Sequence, residues 1–292
     1  MTKKSFDNKI AKFDLGHFFK EIRRNRGYTL KDAGGDYISK SQLSRFENNG
    51  TTLTAEKLYF AITQISMTPN EFFNAFNGYK LDRMQKLYYT LDNIQLSLQE
   101  GIEKSEELIT KHPNSKFEKL SNIMIKSVLQ DITGKHYITK EEYLLVGDYL
   151  SAIDYWSEFE MKLLYYTCLI LDEGDIRWFW EMITDRAHHF NKGNNQRLFL
   201  ATLLNSYETT VLDRQNMENA ALFREDLEKF IVKKEPTMLI IFTIVTYFHD
   251  YLLEKTSKNR QKIEEYLTAA EVVGAKDMAD YYRNRLVALE RK

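Results

Sequence analysis

The chain has 292 residues, 43% of them hydrophobic, with 18 Tyr and 18 Phe, so a sizeable core is available and global disorder is excluded. With only 12 Gly and 3 Pro among many Leu, Lys, Glu and Ile, the composition favours a chain that is nearly all helix. The net charge of −1 is unevenly spread: residues 1–77 carry 12 Lys and Arg against 8 Asp and Glu, the remainder 29 against 34, so a basic N-terminal part suits an anionic partner.

A single cysteine, Cys168, excludes an internal disulfide framework and a Cys-rich zinc site, and it suits a reducing cytosol. Lys3, Lys4, Asp7 and Lys9 leave no apolar stretch for a signal peptide. The most apolar window, Met238 to Phe248, is far shorter than the ~20 residues of a membrane span and reads as a buried helix.

After a basic lead-in over residues 1–13, a helix is expected from Asp14, with Leu15, Phe18, Phe19 and Ile22 on one face and Gly27 as its stop. Thr29 can cap a short second helix running to about Gly35, weakened by Ala33-Gly34-Gly35. A tight connection then leads to Ser39, the cap of a third. That third helix is polar except for Leu43 and Phe46, three apart, so one side packs while the other stays wet. After Asn48-Asn49-Gly50, Thr54 caps a fourth helix, and Thr68-Pro69 opens a fifth that stops at Gly78.

Five helices with a very short turn between the second and third make a helix-turn-helix unit over residues 1–77, the third helix sized for a major groove. Arg24, Thr29, Lys31, Ser39, Lys40, Ser41, Gln42, Ser44 and Arg45 are the candidate DNA contacts, being side chains that hydrogen-bond phosphates and base edges. Arg23, Arg24 and Arg26 add positive charge behind them.

Arg23 through Leu30, then Ile38-Ser39-Lys40-Ser41-Gln42-Leu43-Ser44-Arg45-Phe46-Glu47, resembles the helix-turn-helix of the phage-repressor-like (XRE/Cro) class, and more narrowly that of the Rgg/GadR/MutR transcriptional regulators. In the broad class an arginine late in the first helix pairs with a glutamate ending the third, which implies a structural tie between Arg23 and Glu47. The class places a phosphate-gripping glutamine near the start of the second helix. Here Thr29, Leu30 and Lys31 stand in that region, so Thr29 or Lys31 must substitute.

Residues 78–114 are expected as a linker, mostly one long helix from Leu81 to about Lys111 with Met84, Leu87, Leu91, Ile94 and Leu98 at helical spacing. From 115 to 292 the chain falls into helical pairs with first-helix starts about 40 residues apart. Glu158–Ala187, with the turn Asp172-Glu-Gly-Asp175, and Leu198–Phe230 read like tetratricopeptide repeats, and Thr139-x-x-Glu142 is a capping box. The expected fold is all-α: a five-helix helix-turn-helix unit followed by a right-handed superhelix of degenerate tetratricopeptide-like repeats, which the resemblance also implies.

Stacked repeats leave a concave surface lined by their first helices. Counting back from the turn aligns Tyr165, Asn205 and Tyr247. One turn earlier lie Met161, Ala201 and Thr243, and one turn later Cys168, Glu208 and Asp250. These nine form the expected peptide-binding strip. Asn205 leads because its amide offers donor and acceptor to a peptide unit, and Glu208 and Asp250 favour a basic or free-amino end.

The resemblance implies a cytoplasmic, homodimeric transcription factor that binds double-stranded operator DNA, answers a short secreted signalling peptide in quorum sensing, and can meet RNA polymerase at the promoter. No cofactor, metal, membrane or enzymatic role is expected: no nucleophile elbow or phosphate-binding glycine loop occurs, and the adjacent His188 and His189 cannot face one metal from one helix. The alternatives are a ligand-independent dimeric repressor and an interaction scaffold with a vestigial DNA-binding unit.

Overall fold

The computed structural model describes residues 14–96, 109–187, 195–231 and 236–291. The expected lead-in at 1–13, Leu98 with the middle of the long helix, and His188–His189 lie outside the described residues. The chain divides into two compact units, Met1–Arg83 and Met84–Lys292. Among the described residues every regular element is a helix.

The first unit contains α1 (Leu15–Asn25), α2 (Leu30–Gly34), α3 (Lys40–Glu47), α4 (Ala55–Gln64) and α5 (Pro69–Phe76). Each starts at a side-chain cap: Asp14, Thr29, Ser39, Thr54 and Thr68 each accept a bond from a backbone N–H of the first turn. Such a cap contributes ~1 kcal/mol, enough to fix where short helices begin. Thr29 and Thr68 complete reciprocal capping boxes with Asp32 and Glu71. Phe19, Leu43, Phe46, Ile62, Ile65 and Phe72 form the buried core. Glycine is required at Gly16, because a Cβ there would lie 1.9 Å from the Phe46 carbonyl oxygen; its absence lets α1 approach α3 closely.

The second unit runs through α6 (Arg83–Leu96), α7 (Lys116–Thr133), α8 (Lys140–Ser151), α9 (Glu158–Thr167), α10 (Glu173–Asp185), α11 (Asn195–Thr209), α12 (Met217–Phe230), α13 (Pro236–Leu253), α14 (Ser257–Val272) and α15 (Lys276–Glu290). The first helices stack in order, α7 on α9, α9 on α11 and α11 on α13, as a repeat array requires.

Three features differ from the sequence reading. The segment expected as a linker contributes Leu87, Tyr88, Leu91 and Ile94 to the second unit's core, because these side chains find apolar partners there. Asp172 is the N-cap of α10, its side chain accepting from Asp175 N at 2.8 Å, so Glu173-Gly174-Asp175 forms a first helical turn rather than a loop. A π-helical segment, Thr210–Arg214, extends α11 and breaks the repeat period. It delivers Arg214 Nη2 to the carbonyls of Cys168 and Leu169 at 3.1 and 3.3 Å and to that of Leu171, satisfying acceptors just past the end of α9.

Helix α13 is long and apolar enough, by length and composition, to cross a membrane. In this chain it packs on α11 and α14 and buries Ile244, Val245 and Phe248 in the common core.

Candidate functional site

Helix α3 is held from behind. Arg23 donates to Glu47 twice, Nε to Oε1 at 2.6 Å and Nη2 to Oε2 at 2.7 Å, and Nη1 donates to the Tyr28 carbonyl at 2.6 Å. Both partners are buried, so the pair carries no surface for DNA and instead fixes α1 to the end of α3. Arg26 is likewise spent on structure, donating to the carbonyls of Ile65 and Ser66 that close α4.

The outer face of α3 presents Lys40, Ser41 and Arg45 exposed, with Ser44 half-buried. Arg24 and Lys31 are exposed on α1 and α2. Ser39 spends its hydroxyl on Gln42 N at 3.2 Å. Thr29 donates its hydroxyl to Asp32 at 2.7 Å and accepts from Asp32 N, so it is occupied by its own capping box. Those side-chain and backbone bonds from Thr29 hold the Asp32 carboxyl below its usual range. Of Thr29 and Lys31, only Lys31 therefore keeps a free polar tip.

Lys57 was not singled out in the sequence. Its ammonium donates to Gln42 Oε1 at 3.0 Å from the first turn of α4. An ammonium only donates, so it fixes the amide orientation of the half-buried Gln42, with Oε1 toward Lys57 and Nε2–H₂ turned away from it. No local signal marks Lys57, because the contact spans 15 positions.

In the second unit, Tyr165, Asn205 and Glu208 of the expected strip come together in one polar cleft of about 70 Å³. Ser127, Asp131, Asp213, Tyr281 and Arg285, from α7, the π segment and α15, complete its polar lining. Asn205 Nδ2 donates to the Tyr165 carbonyl at 2.8 Å, joining α11 to α9. Glu208 accepts from Tyr281 OH at 3.2 Å and Tyr282 OH at 3.1 Å, and burial pushes its carboxyl up to about 7. Arg285 forms an ion pair with Asp213. Burial pushes the Asp131 carboxyl up, reinforced by Asp213 and opposed by Arg285.

The other six strip residues are not in this cleft. Met161 and Cys168 are 2% and 1% exposed, a correction to the expected groove: one turn to either side of Tyr165, α9 turns into its contact with α11. There Cys168 donates its thiol to Ser206 Oγ and the Met161 carbonyl accepts from Thr202. Ala201 packs half-buried against the same core. Asp250 accepts from Arg224 at 2.7 Å, so its charge is already compensated by α12. Tyr247 meets Tyr266 of α14 edge-on, with centroids 5.5 Å apart, and the Thr243 hydroxyl donates to the Leu239 carbonyl. Helix α14 thus packs beside the positions where a concave strip was expected.

Comparison with known proteins agrees with this architecture. A family model described as the C-terminal domain of the HTH-type transcriptional regulator Rgg matches residues 98–284. The fold is similar to that of the SHP pheromone receptor Rgg2 of Streptococcus dysgalactiae, with 16% identity, a TM-score of 0.76, and 94% of this chain and 98% of that one covered. It is similar also to a putative transcriptional regulator from Listeria monocytogenes, with 15% identity, a TM-score of 0.74 and 95% and 96% covered. PrgX in complex with iCF10 matches at 13% identity with a TM-score of 0.63, covering 96% of this chain and 91% of that one. With its helix-turn-helix unit ahead of a stacked helical array that this model covers almost end to end, the chain belongs to the Rgg family of transcriptional regulators.

Proposed function

We propose that this chain is a homodimeric, sequence-specific DNA-binding regulator whose output is set by a short peptide bound on the stacked first helices of its second unit. The observation that carries the reading is the division of labour within α3. Glu47 is consumed inside the fold by Arg23 of α1, while Lys40, Ser41 and Arg45, with the half-buried Gln42, are left on the face that would enter a major groove. The polar cleft around Asn205 supports the peptide role, as does the likeness to proteins whose own descriptions call them pheromone receptors. At about 70 Å³ the cleft takes one side chain or chain end rather than a whole peptide, so the rest of the ligand lies along the neighbouring first helices.

The mechanism is differential binding. A peptide that binds one arrangement of the array more tightly shifts the population toward the recognition-helix placement which that arrangement favours. A hundredfold change in operator affinity requires about 2.7 kcal/mol of such difference.

Anisotropy titrations of promoter DNA at two salt concentrations test the DNA role. A steep salt slope together with preference for one site is expected, and weak binding without preference would favour the scaffold reading. Arg45→Ala is expected to lower specific binding by ~1–3 kcal/mol, and unchanged discrimination between sites would remove Arg45 from base reading. Asn205→Ala is expected to weaken peptide recovered from culture medium while leaving operator affinity without peptide intact. Equal peptide affinity in the two proteins would refute the clamp role.

A further inference from the structure

The cleft around Glu208 contains an electrostatic imbalance and an unused acceptor. Three carboxyl groups line it, from Asp131, Glu208 and Asp213, against one cation, Arg285, which is already paired with Asp213. Asp131 and Asp213 are exposed at the mouth, whereas Ser127 is 1% exposed and lies deeper. Among the described residues nothing bonds Ser127 Oγ, although it lines the same cleft. A buried hydroxyl without a partner costs roughly 1–3 kcal/mol, so it marks a place where a polar partner is missing, and beside three carboxyl groups that partner is best a donor.

Among the described residues no three of His, Cys, Asp and Glu come close enough to hold a metal ion. The site instead suits a group with several N–H donors pointing in different directions on a thin apolar stem. Val128 and Leu169 supply apolar wall beside the polar atoms, and Tyr165 and Tyr281 line the cleft with them.

We propose that this cleft is a subsite for a primary ammonium group, either a lysine side chain or the free N-terminus of the peptide ligand, held by Asp131 at the mouth and by Glu208 and Ser127 inside. This identification of a ligand group rests on the peptide-binding reading above. The ammonium donates to the Ser127 hydroxyl and to the two carboxyl groups, and its charge favours their ionised forms, offsetting the negative charge that Arg285 leaves uncompensated. The same cleft is built from α7, α9, α11, the π segment and α15, so filling it ties the last helix of the unit to three stacked first helices.

The test uses the full chain labelled with fluorotyrosine. It is titrated with n-butylammonium, and separately with n-butanol, while fluorine NMR follows Tyr165 and Tyr281. Saturable shifts with butylammonium alone are expected, weakened about threefold by Asp131→Asn or by Ser127→Ala, the scale of one part-exposed charged contact. Asp131→Asn keeps the size and polarity of a side chain at the mouth of the cleft, and Ser127 makes no side-chain bond among the described residues, so both variants keep the fold. Equal responses to butanol, or unchanged affinity in both variants, would overturn the subsite.

A second arm uses short Leu/Val/Gly peptides with a free or acetylated N-terminus, and with lysine or norleucine. Preference for either amine supports the subsite and identifies which source fills it. Peptides that bind without regard to any amine overturn the subsite and leave peptide regulation standing. Butylammonium binding without binding of any peptide keeps the subsite and removes the peptide reading instead.

Discussion

Glu47→Ala is expected to destabilise the first unit by about 3–5 kcal/mol, because it leaves the Arg23 guanidinium buried without its carboxylate. The cost is set by geometry. Two charge-assisted bonds at 2.6 and 2.7 Å are lost at once, and the side chains are 6% and 2% exposed, so water cannot replace them. A domain of this size has only ~5–15 kcal/mol in total, so the loss removes a large share of its stability. Hydrogen exchange of α1 and α3 measures the effect, and operator binding should fall with it. The double variant Arg23→Met/Glu47→Leu separates structure from contact. Replacing a buried pair by apolar residues of similar volume is often close to neutral, so protection and operator binding should both return. Some deficit remains, because Arg23 also donates to the Tyr28 carbonyl. Recovery of the fold without recovery of DNA binding would mean that Arg23 or Glu47 touches DNA after all.

Trp180→Ala is expected to cost the second unit about 3–5 kcal/mol, the range for deleting a large buried aromatic. Trp180 is 1% exposed on α10 and stacks on Phe223 of α12 with centroids 3.9 Å apart and planes 12° apart. Its Nε1 also donates to Asp226 at 2.9 Å, so the substitution removes area, a stacked pair and a hydrogen bond together. The readout is the urea midpoint of the second unit by circular dichroism, with exchange of α12 amides as the local check. A shift below about 1 kcal/mol would show that α10 and α12 repack around the gap. Trp180→Phe, which keeps the stack and drops the bond to Asp226, should lose a minor part of the effect.

Much of the first unit was legible in the chain because its determinants are local. Asp14, Thr29, Ser39, Thr54 and Thr68 each cap within three residues of themselves, and the spacing of Leu43 and Phe46 sets which side of α3 is buried. Gln42 was legible as a polar residue on the wet side, but the direction of its amide was not, since Lys57 sets it from another helix.

The second unit was legible in outline only. Counting back from the helical turns found Tyr165, Asn205 and Glu208, yet the same count placed Met161 and Cys168 in a groove when they are core. A first helix in a stack has neighbours on several sides, and periodicity cannot tell which side faces another helix and which faces solvent. Asp250 illustrates the electrostatic version, since its partner Arg224 lies 26 positions away on a different helix.

By itself, then, the sequence determined the all-helical class, the capped helices of the first unit and the polar outer face of Lys40, Ser41 and Arg45, all of which follow from interactions within a few residues. Only the tertiary structure decided that α6 belongs to the second core, that a π segment brings Asp213 beside Arg285, and that α15 closes on Glu208 from 73 and 74 positions away. These arrangements depend on burial and charge contributed by residues far apart in the chain, and a carboxylate such as Glu208 acquires its character from the water its distant neighbours exclude.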